Sequence, residues 1–286
     1  MRNLLFIPLA ALLASSSGPA ALSPRPASRH SILSPQPSSS RFSILSPQPV
    51  SSLLSIHSPH PASLLAASNP PRVLIFSKTN GYHHASIAAG ITAIQKLGAE
   101  NGFAVDTTTD STRFRKNILK KYAALIFLSP TGKVFGPDEE KALQYYIHHG
   151  GGFVGVHAAT DCEYNWQWYG DLVGGYFKSH PKQQEAKLVI VDKDFPATKD
   201  LPDTWERRDE WYNFKYLNPG IKVLIKIDEK SYTGGENGDN HPMAWYHAFD
   251  GGRSFYTELG HTDESWADPR YLHHLLGGIQ YAMNKK

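Results

Sequence analysis

The chain has 286 residues, with 29 Lys and Arg against 26 Asp and Glu for a formal net charge of +3, and one cysteine. The first 68 residues hold Arg2, Arg25, Arg29 and Arg41 and no acid, so the remainder sits near −1 and lacks the clustered basic footprint by which proteins bind nucleic acid. With Cys162 alone, an intramolecular disulfide framework and a Cys-rich zinc cluster are both excluded, and the residue reads as a small semi-buried hydrophobe.

Met1 to Asn3 precede an apolar run, Leu4 to Leu13, followed by small residues around Ala14, Ser15 and Pro19 to Ala21. This is the layout of a secretory signal peptide over residues 1–22 and implies a secreted protein; an acid-free, Arg- and Ser-containing leader is also compatible with an organellar transit peptide. The run is too short to cross a bilayer, and no later segment approaches the ~20 apolar residues a spanning helix needs. From Ser23 to Pro61 the motif Ser-Pro-x-Pro recurs at Ser23, Ser34, Ser46 and Ser58. Such a sequence removes backbone donors and offers few apolar side chains to bury, so residues 23–70 read as a disordered, partly polyproline-like linker. Residues 71–286 are the folded domain.

Arg72 to Ser77 is a short β-branched and aromatic strand, after which Ile87, Ile91, Ile94 and Leu97 recur at helical spacing until Gly102. Phe103 to Thr109 and the almost wholly apolar Tyr122 to Leu128 read as strands. Pro137 with Asp138, Glu139 and Glu140 opens a helix that stops at Gly150 to Gly152, and Phe153 to Val156 is a fourth strand. Alternating strands and helices, with continuous apolar strands, predict a mainly parallel sheet covered on both faces, a three-layer doubly wound α/β sandwich. Ala186 to Val191, Lys222 to Ile227, Met243 to Phe249 and Arg253 to Leu259 read as further strands, and Asp268 with Pro269 caps a terminal helix.

In open sheets of this kind ligands bind beyond the carboxyl ends of the strands. Gly155, Val156, His157, Ala158 and Ala159 have the small-x-residue-x-small form of a nucleophile elbow, with an imidazole as the presented side chain. His148 and His149 close a helix and are structural, whereas His84, His157, His180, His241 and His261 each lie beside Gly, Pro or a strand end. No helix carries the His-Glu-x-x-His spacing, so a divalent metal such as zinc would be assembled from separate loops, with His157, His180 and His261 as candidates; no other cofactor is implied. Two aromatic and carboxylate clusters, Asp161 to Tyr169 and Trp205 to Tyr212, suit a small-molecule carbohydrate: Trp168, Trp211 and Tyr212 offer planes to sugar faces, and Asp161 and Glu210 accept from hydroxyls.

Gly81-Tyr82-His83-His84-Ala85-Ser86-Ile87, Val154-Gly155-Val156-His157-Ala158-Ala159-Thr160-Asp161, Gly174 to Phe177 with His180-Pro181, Asp209-Glu210-Trp211-Tyr212, His241-Pro242-Met243-Ala244-Trp245 and Leu259-Gly260-His261-Thr262 resemble, in order, the motifs of the trehalose-utilisation (ThuA-like) family. The resemblance implies a class I glutamine amidotransferase-like, flavodoxin-like fold and a role in catabolism of trehalose-type or 3-keto disaccharides. It adds Tyr82, His84 and His241 as substrate-binding candidates, and of the pair His83 and His84 carries over only to the second. With His157 where amidotransferases have Cys, thiol glutaminase chemistry is lost, and His261 corresponds to their later His. The expected enzyme uses His157 and Asp161 or Glu210 as acid and base, with His261 polarising the reacting oxygen or holding a metal. The alternatives are a secreted carbohydrate-binding module without catalysis and an amidase using Cys162, which lies five positions beyond the elbow. The side chains of His84, His157, His180, Glu210 and His261 are expected to converge on one cleft.

Deleting the chain up to Ala67 is expected to leave the melting temperature of the domain nearly unchanged, because a Ser- and Pro-rich segment without periodic apolar residues buries little surface. A large fall measured by calorimetry would show that the segment contributes to the folded domain.

Overall fold

A computed structural model describes residues 69–284; the expected signal peptide and all but two residues of the expected linker lie outside the described residues. The strand-helix alternation predicted from the sequence is present as β1 (Arg72–Phe76), α1 (Ile87–Asn101), β2 (Ala104–Thr108), α2 (Lys116–Leu119), β3 (Ala124–Leu128), α3 (Pro137–His148) and β4 (Gly152–Val156). These are followed by α4 (Gln167–Val173), β5 (Gly175–Ser179), β6 (Gln184–Ile190), β7 (Thr204–Asp209), β8 (Asn213–Leu217), β9 (Lys222–Ile227), β10 (Pro242–Phe249), β11 (Gly252–Thr257) and α5 (Pro269–Ala282). No described helix is long and apolar enough to cross a membrane.

Nine strands form one sheet in the order β2-β1-β3-β4-β11-β10-β9-β6-β7, and β5 pairs with β8 in a separate ribbon. The pairs from β2 to β11 are parallel and those from β11 to β7 antiparallel, so the sheet is mixed although only β10 and β6 run against the rest. The antiparallel half arises because β10 and β11 are joined by the tight turn at Asp250 and Gly251, which has no room for a crossover helix. The cluster Trp205 to Asp209, read from sequence as part of a sugar-binding patch, is the edge strand β7. Its alternation buries Trp205 against the core, and the Arg207 guanidinium lies 4.7 Å over that ring.

β3 and β4 are buried along their whole length, as strands covered on both faces must be. On one face Leu128 and Trp266 crowd Gly90 of α1, and Phe255 of β11 meets Gly278 of α5 so closely that a Cβ there would lie 2.2 Å from its ring. On the other, Phe127 packs against Phe114, Phe135, Phe153 and Tyr169 of α4 at centroid distances of 4.9 to 6.0 Å. Each such fully buried aromatic contributes about 1.5–3 kcal/mol relative to exposure, so this sheet core fixes the frame from which the loops project. The parallel strands have their carboxyl ends on one edge, and every residue discussed below as part of the cleft follows one of those ends or is brought to it by the β5–β8 ribbon.

His274 is buried inside α5 with Nδ1 2.9 Å from the Ala197 carbonyl and its ring against Phe255, and burial pushes its pKa down to about 4. The unfolded chain therefore takes up a proton between about pH 6.5 and pH 4 that the native state refuses, and stability falls as pH drops through that window. The contribution is about 3 kcal/mol at most. Chemical denaturation of wild type and His274→Gln across pH 7 to 4 is expected to show a shallower acid loss in the variant; parallel slopes would show that another group dominates.

Candidate functional site

The elbow forms as its small residues require. β4 ends at Val156, and His157 takes φ +49°, a left-handed conformation that costs a non-glycine residue of order 1–3 kcal/mol. The turn is possible because Gly155 lacks a side chain: a Cβ there would stand 3.0 Å from the Tyr256 ring and 3.2 Å from the Ala159 methyl. Ser129, at the end of the neighbouring β3, is also left-handed at φ +46°, and its N–H donates to the Val156 carbonyl at 3.2 Å, so adjacent strand ends turn together.

The ring of His157 is fully buried. Its Nδ1–H donates to the Glu258 carbonyl at 2.7 Å, which leaves Nε2 facing Nδ1 of His261 at 3.0 Å and Oε2 of Glu210 at 3.4 Å. His261 Nδ1 is itself 3.0 Å from the same Glu210 oxygen, and the His84 ring stands edge-on to both His157 and His261 at 4.8 and 5.2 Å. Donor atoms of His84, His157, Glu210 and His261 thus all lie within 4.8 Å of one another. The expected five-residue convergence is present with one difference of role. His180 turns its Nδ1 to the other oxygen of Glu210, at 3.1 Å, and the place given to it among the metal candidates is taken by His84.

Burial opposes charge on His157, but the carboxylates of Glu210 and Glu258 outweigh it and push the imidazole pKa up to about 10. Burial also opposes charge on Glu210, yet hydrogen bonds to His157 and His261 hold its carboxyl well below the usual range. Glu258, fully buried, is pushed up to about 7, and burial with two neighbouring imidazoles drives His84 down to about 3. The cluster therefore draws one positive charge into its centre. A proton on His157 supplies it, and so would a cation. The donor set fits a divalent ion: tetrahedral zinc with bonds of about 2.0–2.1 Å spaces its donors at roughly 3.3 Å, close to the three distances above. Two more observations agree. Nδ1 of His84 is buried with no hydrogen-bond partner among the described residues, and the Glu258 carbonyl fixes His157 in the tautomer that presents Nε2, the usual outer-shell device at a histidine ligand.

A cleft of about 420 Å³ opens over this cluster, lined by Tyr82, His84, Asp161, Phe177, His180, Gln183, Glu210, Tyr212 and His261. Tyr212 lies between cleft and cluster, its ring 4.3 Å from that of His157 and its N–H donating to Glu258 Oε1 at 3.2 Å. Asp161 accepts from the Tyr164 hydroxyl at 2.5 Å, and burial raises its pKa. Three sequence expectations need correction. His241 is buried beneath the site, bridging the Tyr212 carbonyl and the Glu229 carboxylate at 2.7 Å each, so it positions Tyr212 and does not meet a ligand. Trp211 is buried and donates to the Gln184 carbonyl. Trp168 donates to Asp250 at the β10–β11 turn, on the opposite edge of the sheet. Large aromatics near acids satisfied the sequence pattern, but in this fold their N–H groups are spent on internal acceptors.

Sequence reasoning did not single out Glu258 or Gln183, and it named Asp209 and Phe177 only as members of motifs. Glu258 had a signal, a carboxylate inside the apolar run Phe255 to Leu259 just before Gly260-His261. Asp209 is buried and fastens two site loops: Oδ1 accepts from the Glu210 N–H, and Oδ2 from the Gly260 N–H, Ser265 and Arg207 at 3.0 to 3.2 Å. Ser86 donates to the Gly260 carbonyl at 3.1 Å, tying the His84 loop to the same point, and Gly260 has φ +112° with no space for a Cβ beside the Tyr271 hydroxyl.

The sequence profile described as trehalose utilisation (ThuA) matches residues 72–282. Among solved structures, the fold is similar to that of a ThuA-like protein from Bacteroides uniformis ATCC 8492, at 26% identity and TM-score 0.66, over 78% of this chain and 95% of that one. A ThuA-like protein from Parabacteroides merdae ATCC 43184 matches at 20% identity and TM-score 0.63, over 77% of this chain and 91% of that one. A β-galactosidase from Bacillus circulans sp. alkalophilus shares the fold at 13% identity and TM-score 0.51, over 76% of this chain and 32% of that one. No curated protein matches the chain.

Titration of chelator-treated protein with zinc is expected to give one site per chain. His84→Ala and His261→Ala should each weaken it by about 100-fold or more, since even outer-shell changes cost 10–100-fold. His180→Ala, which removes only a neighbour of Glu210, should weaken it less than either. Stoichiometric binding unaffected by His84→Ala and His261→Ala would place the ion elsewhere.

Proposed function

The chain belongs to the trehalose-utilisation (ThuA) family, and from that premise we propose that the cleft processes a trehalose-type or 3-keto disaccharide by histidine and carboxylate acid-base chemistry, assisted by a divalent metal. The observation that carries this reading is the position of Glu210. One of its oxygens closes the cluster of His84, His157 and His261, while the other holds Nδ1 of His180 at 3.1 Å within the cleft.

A 3-keto group makes the hydrogen on the adjoining carbon acidic. His180, with Nδ1 3.0 Å from the Pro181 carbonyl and 3.1 Å from Glu210, keeps Nε2 for taking that proton. Asp161 lies on the same cleft with its pKa raised by burial, which suits it to deliver a proton to the departing glycosidic oxygen. Two carboxyl groups pushed in opposite directions, Glu210 down and Asp161 up, are the arrangement expected of a base side and an acid side. Tyr82, Phe177 and Tyr212 present planes to the sugar rings, and Gln183 offers an amide to hydroxyls. A metal held by His84, His157, Glu210 and His261 would supply charge stabilisation at the keto oxygen. His157, fully buried, serves the cluster and does not touch a ligand, which moves the acid-base role expected of it to His180 and Asp161. On the same reading the amidotransferase-like ancestry of the fold survives as the elbow alone, with its thiol replaced. Secretion, directed by residues 1–22, would place this activity outside the cell.

The mature domain incubated with 3-keto-trehalose is expected to release glucose, and chelation with EDTA to reduce the rate. His180→Gln and Asp161→Asn should each lower kcat by about 10² to 10⁴ with smaller effects on KM. Calorimetry showing tight disaccharide binding, with no product from either trehalose or its 3-keto form, would assign the cleft to a carbohydrate-binding module instead.

A further inference from the structure

At the opposite edge of the sheet, where β3, β4 and β11 begin, a separate cavity of about 340 Å³ is walled by Lys116, Lys120, Tyr145, His149, Arg253 and Asn284. The cations come from α2, its carboxyl cap and β11, up to 137 positions apart, so the fold and not local sequence brings them together. No Asp or Glu lines the cavity, and among the described residues none lies within ion-pair distance of Lys116, Lys120 or Arg253. Cations on other parts of the surface do face acids, as in Arg72–Asp106 and Lys187–Asp228. Three positive groups around one concavity whose lining holds no acid give it a local positive potential that an anion would complement.

From this geometry we propose that the cavity is a second ligand site that binds a small phosphate-bearing metabolite. The Arg253 guanidinium supplies a planar fork matched to phosphate oxygens, and Lys116 and Lys120 add two point charges to the same lining. Lys116 Nζ lies 4.0 Å over the Tyr145 ring, and His149 stacks on that ring at 3.9 Å. The imidazole donates from Nδ1 to the Tyr145 carbonyl at 2.8 Å, which keeps Nε2 for a further partner. The volume exceeds a bare phosphate ion and accommodates a body the size of a sugar. A domain with a net charge near −1 repels a long polyanion while a small dianion feels mainly the local cations, which favours a metabolite over nucleic acid or an anionic membrane.

Calorimetric titration at constant ionic strength with inorganic phosphate, glucose 6-phosphate and glucose tests the proposal. Saturable binding of glucose 6-phosphate, no binding of neutral glucose at this site, and a loss of about tenfold or more in Arg253→Gln and in the double variant Lys116→Gln/Lys120→Gln are expected. Lys96→Gln on α1 should bind as wild type. Equal affinity for inorganic phosphate would support a phosphate pocket that makes no use of the sugar. Absence of saturable binding, binding unmoved by both cavity variants, or binding of duplex DNA or phosphatidylserine vesicles that those variants abolish would overturn it.

Discussion

The site depends on a buried imidazole held at a left-handed turn between two carboxylates. An ionised carboxylate taken out of water costs several kcal/mol unless it is matched, and removing one member of such a set strands the other at a cost of about 3–5 kcal/mol. His157 and the two glutamates therefore support one another, with a positive charge on or beside the imidazole offsetting the ionised Glu210. That requirement accounts for the hydrogen bonds that fasten three loops around the cluster. Asp209 ties the end of β7 to the Gly260 N–H in the loop after β11, Ser86 ties the loop after β1 to the carbonyl of the same residue, and His241 with Tyr212 closes the floor.

The elbow holds its central residue in an unusual way. In a thiol or hydroxyl enzyme the strained residue at the strand end is presented upward to a ligand. Here the same strain presents a ring that is bonded behind to the Glu258 carbonyl and covered above by Tyr212, so the residue is withdrawn from solvent and becomes a support. The polar groups that face the cleft lie one layer further out, with Glu210, His180 and Asp161 among its lining. A histidine can fill this supporting role where a cysteine could not, because its two nitrogens point in opposite directions and link the backbone on one side to the cluster on the other.

The two cavities sit at opposite ends of the same strands. β11 begins at the cationic pocket with Arg253 and runs directly to Glu258 and His261 at the cleft. The antiparallel half of the sheet makes this possible. It places β11 centrally, between the parallel β4 and the long hairpin partner β10, where neither end is at an edge.

Local pattern determined a good deal by itself. The apolar runs of β1, β3 and β4, the helical spacing of α1, the Pro-Asp-Glu-Glu opening of α3 and the Asp-Pro opening of α5 each follow from backbone and burial rules that act over a few residues, and so did the elbow at His157. The convergence of His84, His157, His180, Glu210 and His261 was also legible, because parallel strands must deliver their following loops to one edge. What the sequence could not decide was which way each polar side chain turns. Trp168, Trp211 and His241 have the composition of ligand-binding groups and are spent on internal acceptors, while Glu258, hidden in an apolar run, holds the central imidazole. These outcomes depend on hydrogen-bond partners tens of residues away, and on the cost of leaving any buried donor or charge unmatched, which only the assembled chain can settle.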